Sequence, residues 1–215
     1  MILPKLQTLY FVSAVVYLVS LMASPYFMDF AVKALPIVVL LGICISHLNG
    51  LLRKLMIVAL VASATGDVFL ALDIPHGFVM GLGSFLVAQL IYTFCFVKYR
   101  QVYEDKSLRL SGSFIVGIFA VLMALYVLPH TGEMLAPVAF YLVIISCMGM
   151  VAFLCGMDKM TLLGACLFIV SDAIIAQSVF RSDFPYSSLA IMTTYYLAQY
   201  FILHGLIKLQ SERQF

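Results

Sequence analysis

Two carboxylates lie where a lipid bilayer should be. Asp67 sits in Val61-Ala62-Ser63-Ala64-Thr65-Gly66-Asp67-Val68-Phe69-Leu70, inside the long apolar run that follows Arg53-Lys54. Asp172 sits in a second such stretch, Phe168-Ile169-Val170-Ser171-Asp172-Ala173-Ile174-Ile175-Ala176. A charge at the bilayer centre costs roughly 3 kcal/mol on insertion scales, so an intramembrane acid turns inward and marks a functional site by default. A structural, hydrogen-bonded acid is the plainer reading. Small residues precede both acids, and Ala62, Ser63, Ala64 and Gly66 would let a neighbouring helix come close. If the fold brings the two carboxyls together, one is expected protonated and the other ionised. That division suits general acid and general base work.

Other polar side chains inside apolar runs are few. Lys33, Gln89, Tyr92, Tyr141, Tyr195, Tyr196 and Gln199 stand out, with Ser63, Thr65, Ser146, Ser171, Gln177, Thr193 and Thr194 beside them. Each alone reads as glue between helices. Clustering is the cheapest way to satisfy buried polar groups, so together they could line one pocket around the carboxylates. Lys33 either snorkels to the interface or faces the carboxylates or an anionic ligand. The four histidines are scattered and no cysteine pair has CxxC spacing, so neither a metal site nor a disulfide is expected.

The elements that must hold these residues are membrane helices. Hydrophobic residues make up 64% of the chain and charged ones 10%, far below the roughly 25% of a soluble domain. One integral-membrane domain over 1–215 is expected, and a net charge of +2 gives no reason to expect nucleic acid. The first apolar stretch, Leu6 to Ala23, reads as a retained helix rather than a cleaved signal. Eight spans are predicted at about 6–24, 30–48, 53–72, 77–99, 109–129, 134–155, 159–180 and 187–209. The breaks carry Pro25, Asn49-Gly50, Asp73-Ile74-Pro75, Glu104-Asp105, Pro129 to Gly132, Gly156 to Asp158 and Asp183 to Pro185.

Charge then orients the bundle. With eight spans, Lys5, Arg53, Lys54, Lys98, Arg100, Lys106, Arg109, Lys159, Lys208 and Arg213 share one side, against Lys33 and Arg181 on the other. Both termini are therefore expected in the cytoplasm. At about 1.5 Å per residue, Asp67 and Asp172 would lie roughly 20 Å from the cytoplasmic face, in the outer half of the membrane. The third span of each half carries an aspartate, and the fourth carries Gln89 and Tyr92 or Tyr195 to Tyr200. This reads as a 4+4 parallel pseudo-repeat. An all-α, polytopic transmembrane bundle is the expected fold.

These residues carry a resemblance. The chain resembles the lysoplasmalogenase family of multi-pass membrane hydrolases, also called YhhN-like. The resemblance lies in Val32-Lys33-Ala34-Leu35-Pro36, Gly66-Asp67-Val68-Phe69-Leu70, the stretch Gly81 to Tyr92, Ser171-Asp172 and Tyr195-Tyr196-Leu197-Ala198-Gln199-Tyr200. The family usually carries His where this chain has Gln89, which leaves the aspartates as the acid–base candidates. The resemblance implies hydrolysis of the vinyl ether of lysoplasmalogen to a fatty aldehyde and glycerophosphoethanolamine or glycerophosphocholine. It implies no metal or organic cofactor, and a plasma, inner or endoplasmic reticulum membrane. On this reading Asp67 and Asp172 are catalytic and Lys33 binds phosphate. Tyr195, Tyr196 and Gln199 hold glycerol hydroxyls or water, with Gln89, Tyr92 and Tyr141 completing the substrate site. The competing expectation is a transporter or channel using the carboxylates as a proton or cation relay.

Overall fold

The computed structural model describes residues 2–24, 26–72, 74–101 and 106–213. The breaks expected at Pro25, Asp73 and Glu104-Asp105 lie outside the described residues. Among them there are eight α-helices and no strand: α1 Ile2–Ser20, α2 Asp29–His47, α3 Gly50–Ala71, α4 Gly77–Lys98, α5 Lys106–Val127, α6 Leu135–Leu154, α7 Lys159–Phe180 and α8 Ser187–Glu212. Short 3-10 turns follow α1 and join α5 to α6. The helices match the eight apolar runs closely, because a backbone in lipid must satisfy its own hydrogen bonds.

Seven helices are long and apolar enough to cross a membrane. Their outward faces carry exposed Val15, Val19, Val38, Phe114, Leu125, Phe140 and Val143, a surface suited to acyl chains rather than water. The protein is a multi-pass integral membrane protein. α8 is the exception in composition and it is also the longest helix. It is sheltered instead: Tyr195, Tyr196, Ala198, Gln199, Ile202, Leu203 and Leu206 are all buried.

α8 lies along α7, and α3 along α4; α2 and α1 also reach α8, while α6 bridges α4 and α5. The α7–α8 contact depends on glycines. A Cβ on Gly164 would stand 2.8 Å from the Ile202 nitrogen and 2.9 Å from the Ala198 carbonyl, both α8 backbone. Below it, Asp158 caps α7 by accepting from the Thr161 N–H at 2.7 Å, against Gly205 of α8. Pro36 interrupts the α2 hydrogen-bond ladder. One turn before it, the Lys33 carbonyl accepts from the Tyr196 hydroxyl of α8 at 2.7 Å.

The two ends of the bundle differ. At the end holding the chain termini, Gln210 bonds Asn49 and Arg213 donates to the Tyr99 and Arg100 carbonyls. At the opposite end α2, α4 and α8 each begin after a non-glycine residue with positive φ, namely Met28, His76 and Tyr186. Such residues are uncommon, and here they mark three sharp chain reversals at the end of the bundle opposite Gln210 and Arg213.

Candidate active site

The structure places the two aspartates in unlike surroundings. Asp67 of α3 is 2% exposed, and its Oδ2 accepts from the Tyr195 hydroxyl of α8 at 2.8 Å. Around it runs a satisfied polar seam. Tyr92 donates to Gln199 Oε1 at 2.6 Å, Gln199 Nε2 donates to Ser63 Oγ at 2.9 Å, and Tyr10 donates to the Tyr196 carbonyl at 2.6 Å. Lys33 is near enough for its charge to act on Asp67, but the two form no ion pair. The sequence candidates Lys33, Asp67, Tyr92, Tyr195, Tyr196 and Gln199 thus gather on one side, with α8 as the common element.

Asp172 of α7 stands with Tyr141 of α6, whose hydroxyl donates to its Oδ2. Its other oxygen takes no hydrogen bond among the described residues, and the side chain is partly accessible. Two apolar cavities, each of about 50 Å³, meet at this carboxyl. One lies among α5, α6 and α7, walled by Phe119, Met123, Ile145 and Ile169. The other rises between α4 and α7 past Phe85, Leu82 and Ile175 to Phe78 and Phe180. Tyr141, Val138 and Ala176 line both. Each has room for a few waters or a short length of alkyl chain.

Gln89 of α4 is the anomaly. It is 0% exposed, and neither its Oε1 nor its Nε2 has a hydrogen-bond partner. The Tyr141 hydroxyl is close enough to interact with it but not in good hydrogen-bond geometry, so the amide belongs to the Asp172 side. Burying an amide without partners is costly, and native structures keep few such groups.

An aromatic wall joins the two sides, and sequence reasoning did not single it out. The Phe85 ring packs edge-on against Tyr195 at 5.7 Å and Phe168 at 6.3 Å, and Phe168 meets Tyr195 at 5.6 Å. Gly66, next to Asp67, is what admits Phe85: a Cβ there would stand 2.7 Å from the ring. The spacing Gly81, Phe85, Gln89, Tyr92 puts these residues on one face of α4, which was the available signal. The apolar walls from α5 carried none. Among the described residues no group of three or more His, Cys, Asp or Glu could hold a metal.

Comparison with known proteins identifies the family. A model of the YhhN family matches residues 28–206. A lysoplasmalogenase, TMEM86A, of Bos taurus is 32% identical over 93% of this chain and 87% of its own. A lysoplasmalogenase, TMEM86B, of Homo sapiens is 33% identical over 80% of this chain and 72% of its own. A lysoplasmalogenase of Mycobacterium tuberculosis is 28% identical over 81% of this chain and 69% of its own. No solved structure matches the chain.

Proposed function

The chain belongs to the YhhN family, and from that premise we propose that it is a lysoplasmalogenase whose chemistry takes place at Asp172. The observation that carries the assignment to Asp172 is its position where two apolar cavities meet, whereas Asp67 lines neither. The alkenyl chain enters from the bilayer beside α5, which touches α7 only lightly, and lies in the α5–α6–α7 cavity.

The chemistry follows from the bond. A vinyl ether is cleaved by adding a proton to its β-carbon, which leaves an oxocarbenium-like cation on the α-carbon and oxygen. Asp172, protonated, donates that proton, and Tyr141 holds the carboxyl in register. The carboxylate left behind stabilises the cation. Water then adds to the α-carbon and gives its proton back to Asp172. Transfer of the hemiacetal proton to the glycerol oxygen breaks the C–O bond, releasing the aldehyde and the free glycerol hydroxyl. One molecule of water is consumed and the carboxyl is restored. The Gln89 amide has both a donor and an acceptor to offer that water. Asp67, sealed with Tyr195, holds the α3–α8 side of the site in place and sets its field.

The test is aldehyde release from lysoplasmenyl-ethanolamine by purified protein in detergent, with Asp172→Asn and Asp67→Asn alongside. Turnover in wild type, cut roughly a thousandfold in folded Asp172→Asn and much less in Asp67→Asn, is expected. Full activity in Asp172→Asn would sink the assignment.

A further inference from the structure

Arg181 is a cation without an anion. It follows Phe180 at the C-terminal end of α7, on the end of the bundle opposite the termini. Its guanidinium lies 4.6 Å above the Tyr126 ring centroid and donates to the His130 ring. The one salt bridge among the described residues is Lys208–Glu212, at the other end. The acid nearest in sequence, Asp183, turns its Oδ1 to the Phe184 N–H at 3.0 Å. A guanidinium has five N–H donors in a planar fork. Stacking on Tyr126 fixes that plane and leaves most of the donors for an oxyanion.

The chain neighbours of this group line both cavities that meet at Asp172. Phe180, adjacent to Arg181, lines the α4–α7 cavity, and its ring packs edge-on to Phe78 at 5.7 Å. Val127, adjacent to Tyr126, lines the α5–α6–α7 cavity. Arg181 is nine residues beyond Asp172, about 13 Å along the helix axis. The long Arg181 side chain can reach back along part of that distance. Lys33, the other cation at this end, sits on α2 on the Asp67 side of the aromatic wall.

We propose that Arg181, held by Tyr126 and supported by His130, is the anchor for the head-group phosphate of the single-chain lipid whose vinyl ether reaches Asp172. This rests on the function proposed above. Phosphate at the rim and alkenyl chain in the cavity then fix the scissile bond at the carboxyl between them. The clamp distinguishes a phospholipid from an uncharged alkenylglycerol.

The experiment measures ligand-induced thermal stabilisation of detergent-purified wild type, Arg181→Gln and Arg181→Lys. The probes are 1-O-alkyl-lysophosphatidylethanolamine, which cannot be hydrolysed at its ether, 1-O-alkylglycerol and glycerophosphoethanolamine. Wild type is expected to bind the alkyl lysophospholipid most tightly. Arg181→Gln should weaken that binding about tenfold or more, the loss of a charge-assisted contact, and leave alkylglycerol binding unchanged. Arg181→Lys should recover part of the loss. Equal binding of the lysophospholipid by wild type and Arg181→Gln, or equal weakening of both alkyl probes, would overturn the proposal. Glycerophosphoethanolamine bound by wild type as tightly as the lysophospholipid would also overturn it, because the site would then take soluble phosphates. Aldehyde release by wild type is read separately. Its absence alongside an Arg181-dependent phosphate preference would refute the hydrolase and leave the clamp standing.

Discussion

The Phe85 ring stands perpendicular to the Tyr195 ring, with centroids 5.7 Å apart. On one side Tyr195 donates to Asp67; on the other Phe85 lines the cavity that opens on Asp172. The two acids therefore share a wall rather than a chamber, and changes to them should have different effects.

Asp172→Asn keeps an acceptor for Tyr141 while removing the transferable proton. Turnover should fall roughly a thousandfold, the range of a lost general acid, with a melting temperature close to wild type. Aldehyde release and thermal unfolding of the same preparation check both halves.

Tyr195→Phe acts on the sealed side. It leaves the Asp67 Oδ2 buried without its donor, which should cost about 1–3 kcal/mol of stability. The variant should melt earlier in detergent than Tyr141→Phe, which leaves an acceptor that the cavities can reach.

Gln89 should matter more to activity than to stability. Gln89→Leu removes a buried amide with no well-formed hydrogen bond, so the folded protein should stay within about 1 kcal/mol of wild type. If the amide orients the water, turnover should fall by on the order of a hundredfold in the same variant. A Gln89→Leu protein that is both less stable and fully active would contradict this role.

Ala173 lines the α5–α6–α7 cavity but not the α4–α7 one. Ala173→Phe should fill the space given to the chain and shift preference toward shorter alkenyl substrates. Comparing kcat/KM across chain lengths reads this out; an unchanged profile would place the chain elsewhere.

Gly164→Ala should be the most damaging of the small changes. Its new methyl would meet α8 backbone, which cannot move as a side-chain end can. Loss of about 1–3 kcal/mol is expected from overpacking, read as a lower melting temperature and a lower yield of monodisperse protein.

Much of this was legible in the chain. Apolar runs bounded by Pro, Gly and Asn gave eight helices close to those observed, and Asp67 and Asp172 stood out because a carboxylate in lipid needs a reason. The crowding of Tyr195, Tyr196 and Gln199 on the last helix marked the polar seam. What could not be read was the difference between the acids. Gly66-Asp67 and Ser171-Asp172 look alike in sequence. Whether a carboxyl meets a cavity is decided by Phe119, Met123 and Ile145, apolar residues indistinguishable from lipid-facing ones until the helices pack. Arg181 was visible as a charge on the sparse side, but its pairing with Tyr126 and His130 depends on how the chain packs around α5 and the turn after it.

The composition of α8 bears on how the protein is made. Its polar side chains suit the interior of the bundle and not hydrocarbon, so entry into the bilayer and docking on α7 must be coupled. α8 is also the last of the eight to leave the ribosome. Until it arrives Asp67 lacks Tyr195, Ser63 lacks Gln199 and the Lys33 carbonyl lacks Tyr196. Assembly and competence therefore coincide, and a chain stalled before its final helix leaves a bare acid for membrane quality control to find.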